Sequence, residues 1–268
     1  MAATIASMAG TASAVVTGAA MGIGLAVAQR LAADGYHVVG VDRNAEALDR
    51  ALGNLAGEAT GITGDIADWS THERAAEAAE AAGSLRAWVN NAGIDVTSGA
   101  HEVDAEHIDR GLRVLLHGPM YGTAVAVRRM LAGGGGAIVN VASIQGVVAF
   151  PNYYVYGAAK AGVVQIARNV CVDYGHRGIR CNTVLPGTIL TAMTDSMLPQ
   201  GPERDEALRT EGRLAPMGRV GEAAEPAASI AFLLSDEASY INGTSLTVDG
   251  GATARCFAYE PGSRFISS

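Results

Sequence analysis

Short apolar runs recur along the chain, and helix-length stretches separate most of them. Ala14–Thr17, His37–Val41, Ala59–Gly64, Arg86–Val89, Ala137–Val141, Ile179–Leu185 and Thr244–Val248 read as strands, rich in β-branched residues. Between them, helices are expected at Leu25–Ala33, from about Asp68 to Ala82, from Asp104 to Leu131, from the stretch carrying Tyr156 to about Tyr174, and at Glu222–Leu234. The third of these ends at the glycines 133–136. Strand and helix alternating in this way predict an α/β fold, a single domain built on one open parallel sheet covered on both faces. No change of composition marks a second domain, and no repeat stands out beyond the strand-helix unit. The segment 188–216, polar, methionine-containing and broken by Pro199 and Pro202, is too irregular for one packed element and reads as a mobile cover.

Composition narrows the picture. Nearly half of the 268 residues are apolar (49%), enough for a substantial core, while aromatics are only 5% and glycine reaches 34 residues. Packing must then come from aliphatic layers and close backbone approach, as where helices lie on a parallel sheet. A formal charge of −8 leaves no basic field for a nucleic-acid backbone. Cys171, Cys181 and Cys256 show no C-x-x-C spacing, and the six histidines no ligand spacing, so neither a disulfide framework nor a metal site is expected. The opening residues lack a secretory pattern, and no run reaches the roughly 18 apolar residues of a membrane helix. A cytoplasmic protein is expected, with no membrane partner, a flexible tail at 1–12, the body at 13–251 and a C-terminal tail at 252–268. That last tail holds Phe257, Tyr259 and Phe265 in a chain poor in aromatics, so it is expected to pack, covering an active site of its own chain or a neighbour's.

Candidate chemistry lies at the ends of the predicted strands. Gly18, Gly22 and Gly24, with Met21 and Ile23 among them, link the first strand to the first helix. Glycines there let the backbone approach a pyrophosphate, whose charge the free N–H groups at the helix start favour; a plain turn would use the same residues. Asp42 closes the second strand about 20 residues on, where a carboxylate accepts from both hydroxyls of an adenosine ribose and repels a 2′-phosphate. This favours NAD over NADP, with Arg43 as a partial counterweight; the alternative is a cap for the following helix. Asp65 and Ile66 follow the third strand, where the carboxylate would either meet an adenine amino group or cap a helix. Tyr156 and Lys160, four apart in a helical stretch, project from one face. A free phenol titrates near 10, and lowering it by about 2 to 3 units takes about 3 to 4 kcal/mol, within reach of one ammonium in a partly desolvated cleft. An inward tyrosine beside a snorkelling lysine is the bland alternative.

Taken in order, Thr17-Gly18-x-x-x-Gly22-x-Gly24, Asp42, Asn90-Asn91-Ala92-Gly93, Ser143, Tyr156-x-x-x-Lys160 and Pro186-Gly187 resemble the short-chain dehydrogenase/reductase family from Ala14 to Gly251. The resemblance implies a three-layer, doubly wound, Rossmann-like fold and a homotetramer. It also implies NAD-dependent interconversion of a secondary alcohol and a ketone. Ser143, Tyr156 and Lys160 would be catalytic: Tyr156 moves the hydroxyl proton, Lys160 lowers its pKa and holds the nicotinamide ribose, and Ser143 steadies the reacting oxygen. Asn91, Ala92 and Gly93 would line the cofactor cleft, and Pro186, Gly187, Ile189 and Thr191 would border the nicotinamide. Gln145 and Tyr153 are placed to touch substrate or simply to pack. One position departs from the family: aligning Gly118-Pro119 puts Leu115 where an asparagine usually holds a water that relays protons to the lysine, and leucine offers no hydrogen bond. Two alternatives stand beside the main reading, a 3-oxoacyl thioester reductase using the basic pair Arg128-Arg129, and an NAD-binding sensor or scaffold with weak catalysis.

Overall fold

The computed structural model of the protein describes residues 12–255. Seven parallel strands form one sheet: β1 (Ala12–Thr17), β2 (His37–Asp42), β3 (Ala59–Thr63), β4 (Ser84–Asn90), β5 (Gly136–Val141), β6 (Ile179–Pro186) and β9 (Ser245–Val248), in the order β3-β2-β1-β4-β5-β6-β9. Two further strands of two residues each, β7 (Ile189–Leu190) and β8 (Gly221–Glu222), pair with one another. Of the tails expected at 1–12 and 252–268, Ala12 belongs to β1 and Ala252–Ala254 form a 3-10 turn, while residues 1–11 and 256–268, with Cys256, Phe257, Tyr259 and Phe265, lie outside the described residues.

The strands are apolar on both sides because both faces of the sheet are covered. Ala14, Val16, Val38, Val89, Val139 and Val184 point into a core closed by α1 (Gly22–Ala33) and α9 (Ala224–Leu234), through Val27, Leu31, Ile230 and Leu234. Their neighbours in sequence, among them Val15, Val39, Trp88, Ile138 and Cys181, point the other way. There they meet α3 (Trp69–Ala82), α5 (Gly118–Gly133) and α6 (Tyr154–Tyr174), through Ala75, Ala79, Val125, Met130 and Ala167. The period of two along each strand assigns every residue to one core or the other. The result is the three-layer, doubly wound, Rossmann-like single domain that the alternation implied.

Two elements differ from expectation. The helical region expected from about Asp104 to Leu131 is present from Ala105 to Gly133, but a π-helical turn at Arg113–His117 divides it into α4 (Ala105–Leu112) and α5. Pro119 is the cause: it has no N–H for the carbonyl of Leu115, and the wider turn lets Gly118 N–H reach Arg113 O instead. The segment 188–216 holds regular structure, with α7 (Ala192–Met197) and α8 (Arg204–Gly212) following β7. A short helix after β2, α2 (Ala45–Leu52), is capped by Asn44, whose side chain accepts from Ala47 N–H at 3.1 Å. Asp42 is therefore free of the capping role.

α5 meets β4 at Gly122, where an added Cβ would run into Asn90 Oδ1 and lie 3.0 Å from Trp88 Nε1. Those atoms belong to a buried network in which Trp88 Nε1 donates to Asn90 Oδ1 at 2.8 Å and Asn90 Nδ2 donates to Asn140 Oδ1 at 2.8 Å. Gly122→Ala is expected to cost roughly 3 kcal/mol by overpacking and by parting these groups. Urea unfolding measures it, and a loss within about 0.5 kcal/mol, the scale of an ordinary surface change, would contradict this account of the contact.

Candidate active site

The strand order reverses between β1 and β4, so the loops leaving their carboxyl ends diverge and open a crevice. Thr17 ties its two rims together. Its hydroxyl oxygen accepts from Asn91 N–H at 2.9 Å and Ala92 N–H at 3.1 Å, while Asn91 Nδ2 donates to Thr17 O at 3.0 Å. The crevice encloses about 860 Å³, in the range of small-molecule sites. Gly18, Met21, Gly22, Ile23, Asp42, Asp65, Ile66, Asn91, Ala92, Gly93, Pro186, Gly187, Ile189 and Thr191 all line it, as do Ser143, Gln145, Tyr153, Tyr156 and Lys160.

Gly24 is the expected residue that does not line the crevice. It packs beneath the loop, where a Cβ would collide with Gly18 O, so glycine is required there for the turn to close. Gly22 has φ +58 and faces Thr191 across the opening. The loop therefore brings bare backbone and the start of α1 to the cavity, the cradle a pyrophosphate fits. Asp42 braces the same loop, its Oδ2 accepting from Ala20 N–H at 3.3 Å and its Oδ1 from Asn44 N–H at 3.0 Å. Asp65 bonds Ala67 N–H at 2.8 Å and does not cap α3, whose N-cap residue is Asp68.

At the other end, Ser143 leaves β5 and the first turns of α6 present Tyr156 and Lys160 opposite it. Ser143 Oγ accepts from Gln145 N–H at 3.1 Å, and against the larger upward push of burial the serine hydroxyl pulls the pKa of the Tyr156 phenol down. Gln145 has its side-chain oxygen buried without a protein partner. Tyr153 meets Tyr156 edge-on, ring centres 5.6 Å apart. Asn152, at φ +63, begins the turn into α6 and anchors it, its carbonyl accepting from Ser98 N–H at 2.7 Å. Lys160 is 5% exposed and donates to Val141 O at 3.0 Å, with Nζ 5.5 Å from the Tyr156 ring centre.

The electrostatics of this pair correct one expectation. Burial pushes the Tyr156 phenol up to about 12; the Ser143 hydroxyl offsets part of that, and the Asp95 carboxylate adds to it. Burial likewise pulls the Lys160 ammonium down to about 8. In the protein alone desolvation thus sets the direction of the Tyr156 shift, and the phenol keeps its proton at neutral pH. Leu115 lies in the π-helical turn, 1% exposed, packed with Val96, Val155 and Ala159. It closes this side of the site with hydrocarbon. His117, two residues on, is exposed and stacks beside Tyr121. Residues absent from the expected set also line the cavity, among them Ile94, Asp95, Phe150, Met193, Leu198, Glu211 and Leu214. The methionines and prolines of 188–216 hinted at a cover, but nothing in the sequence marked Asp95.

A glycine-cradled crevice at the switch point of a doubly wound sheet, with serine, tyrosine and lysine meeting at one end, defines an oxidoreductase of the dinucleotide-binding type. A family profile described as enoyl-(acyl carrier protein) reductase matches residues 18–253. The 2-(R)-hydroxypropyl-CoM dehydrogenase of Xanthobacter autotrophicus is 38% identical over 249 residues, covering 90% of this chain and 98% of that one. The D-threitol dehydrogenase of Mycolicibacterium smegmatis is 39% identical over 246 residues, covering 90% and 93%. The crystal structure of levodione reductase superposes with a TM-score of 0.86 at 34% identity, covering 91% of this chain and 98% of that one. The chain belongs to the short-chain dehydrogenase/reductase family. No helix among the described residues is long and apolar enough to cross a membrane.

The buried ammonium has a consequence for stability. An unfolded lysine holds its proton until about pH 10.4, whereas the folded Lys160 releases it near 8. Between those values the unfolded chain binds more protons, so this group makes stability rise with pH, and its penalty is full below about 8. Lys160→Met in the nucleotide-free protein is expected to gain up to roughly 3 kcal/mol at pH 7, with the advantage about halved by pH 9.5. Urea midpoints across that range check it; a variant no more stable than the parent at pH 7 would contradict it.

Proposed function

We propose that the protein transfers hydride between NAD and a secondary alcohol or ketone, with Ser143, Tyr156 and Lys160 as its catalytic residues. The observation that carries this reading is the convergence of those three side chains at one end of a cavity whose other end carries Asp42. When bound, the nicotinamide supplies or takes up the hydride. Tyr156, kept neutral by burial, would give its proton to the carbonyl oxygen in reduction and be left as the phenolate; oxidation would start from that phenolate, which takes the proton of the hydroxyl. Ser143 hydrogen-bonds the same oxygen and steadies the charge that builds there. Lys160 has three N–H donors and commits one to Val141 O, leaving two for the hydroxyls of the nicotinamide ribose. Pro186, Gly187, Ile189 and Thr191 border the ring and fix the face it presents.

At the opposite end the Asp42 oxygens each accept one main-chain N–H and keep lone pairs for the adenosine ribose. That arrangement supports NAD over NADP. The names of the relatives fit a secondary alcohol or ketone as substrate. A carrier-borne thioester is the weaker reading, because the basic pair that would meet an acidic carrier is already neutralised. Arg129 bonds Glu73 at 2.7 Å and Glu80 at 2.9 Å, and Arg128 lies 3.4 Å from Glu73 and over the Trp69 ring. Leu115 blocks the usual water relay behind Lys160, so protons leave by way of the cleft.

Tyr156→Phe is expected to lower turnover by about 10³-fold while leaving NADH binding within a few-fold. Absorbance of the reduced nicotinamide over a panel of ketones measures the first and fluorescence titration the second; undiminished turnover would remove Tyr156 from the mechanism. Asp42→Ala is expected to narrow the ratio of kcat/KM with NAD to that with NADP, and an unaltered protein that prefers NADP would show the assignment of Asp42 to be wrong.

A further inference from the structure

The substrate end of the cleft has a one-sided charge pattern. Asp95 leaves β4 and lines the cavity; Thr97 Oγ1 donates to its Oδ2 at 2.7 Å. The segment behind it is pinned to the start of α6, since Tyr154 N–H donates to Ser98 O at 3.2 Å and Ser98 pairs with Tyr153. Asp95 is therefore held near Tyr156, close enough to raise that phenol. Glu211, toward the end of α8, lines the same cavity and also a neighbouring one of about 440 Å³ that shares Phe150 and Leu214 with it.

No cation answers these carboxylates among the described residues. The cations lining the cleft are Arg43 and Lys160. Arg43 follows β2, three strand spacings or roughly 14 Å from β5. Lys160 gives one N–H to Val141 O, and its other two are assigned above to the nicotinamide ribose. In the neighbouring cavity Arg219 is bound twice by Glu225, at 2.6 and 2.9 Å. Arg255 spends its guanidinium on Arg213 O and Leu214 O. The same cavity is lined by Phe150, Met193, Met197, Leu198 and Leu214, and its other polar groups there are neutral, among them the amide of Gln145 and the hydroxyls of Thr188, Thr191 and Thr194.

We infer that this end of the cleft takes an uncharged secondary alcohol or ketone with an apolar body, and that Asp95 and Glu211 turn anionic substrates away. The inference deepens the oxidoreductase reading above and rests on it. A carboxylate or sulfonate on the substrate would meet two like charges at the cavity, the exposed Asp95 and the half-buried Glu211, with no guanidinium to compensate it.

Matched pairs of ketones that differ in charge and little in size provide the test, acetoacetamide and acetoacetate being the smallest. With NADH saturating, kcat/KM is expected to favour the neutral member by roughly tenfold at low salt. The ratio should fall as ionic strength rises from about 0.01 M to about 0.15 M, which shortens the screening length from about 30 to about 8 Å. The double variant Asp95→Asn, Glu211→Gln should bring the ratio to within about threefold. Anionic members turned over by the unaltered protein as well as their neutral partners would overturn the inference. So would a preference that neither salt nor the double variant reduces. Tight NADH binding with no turnover of any ketone, neutral or anionic, would overturn the oxidoreductase reading and the inference with it.

Discussion

The site depends on one ammonium held in an almost closed place. Lys160 reaches from α6 to the carbonyl of Val141, the last residue of β5, and this 3.0 Å bond joins the helix to the strand edge where Ser143 begins. The turn that carries Ser143 is packed so tightly on the helix that a Cβ on Gly146 would lie 2.9 Å from Lys160 O. Serine, tyrosine and lysine are thus fixed by the docking of α6 on β5, as a binding or reacting site on rigid elements requires. Near neutral pH a buried lysine is costly to stability. The chain keeps it where the sheet opens toward a ligand, which is where such a cost has a use.

The same burial shapes the chemistry. A phenol at about 12 beside an ammonium near 8 holds its own proton securely, an arrangement suited to giving that proton to a carbonyl. Leu115 makes the inner wall apolar, so the polar traffic of the site faces the cleft. On that open side stand Asp95 and Glu211, while Arg43 accompanies Asp42 and Asp65 toward the glycine loop.

Much of this was legible in the residues alone. Runs such as Ala137–Val141 are buried on both faces of a parallel sheet, and such runs announce themselves by composition. The ordered motifs located the crevice, and all but one of the expected cleft residues line it. Gly24 falls outside because its task is steric, to let Gly18 O pass. What the sequence hid was whatever depends on burial or on distant partners. The π-helical turn follows from Pro119, whose missing N–H a helical periodicity does not register. The direction of the Tyr156 shift depends on how deeply the phenol is buried, which spacing to Lys160 cannot convey. Asp95, Phe150 and Leu214 reach the cavity from loops or segment ends that carry no period, so no pattern marked them.

The central claim is spatial, and a crystal structure of the protein with NADH and an unreactive ketone analogue tests it most directly. The account predicts the analogue's oxygen within hydrogen-bonding distance of both Ser143 Oγ and Tyr156 Oη, Lys160 Nζ on the nicotinamide ribose, and Asp42 on the adenosine ribose. A nucleotide bound elsewhere, or one in this crevice with Lys160 turned from its ribose, would contradict it.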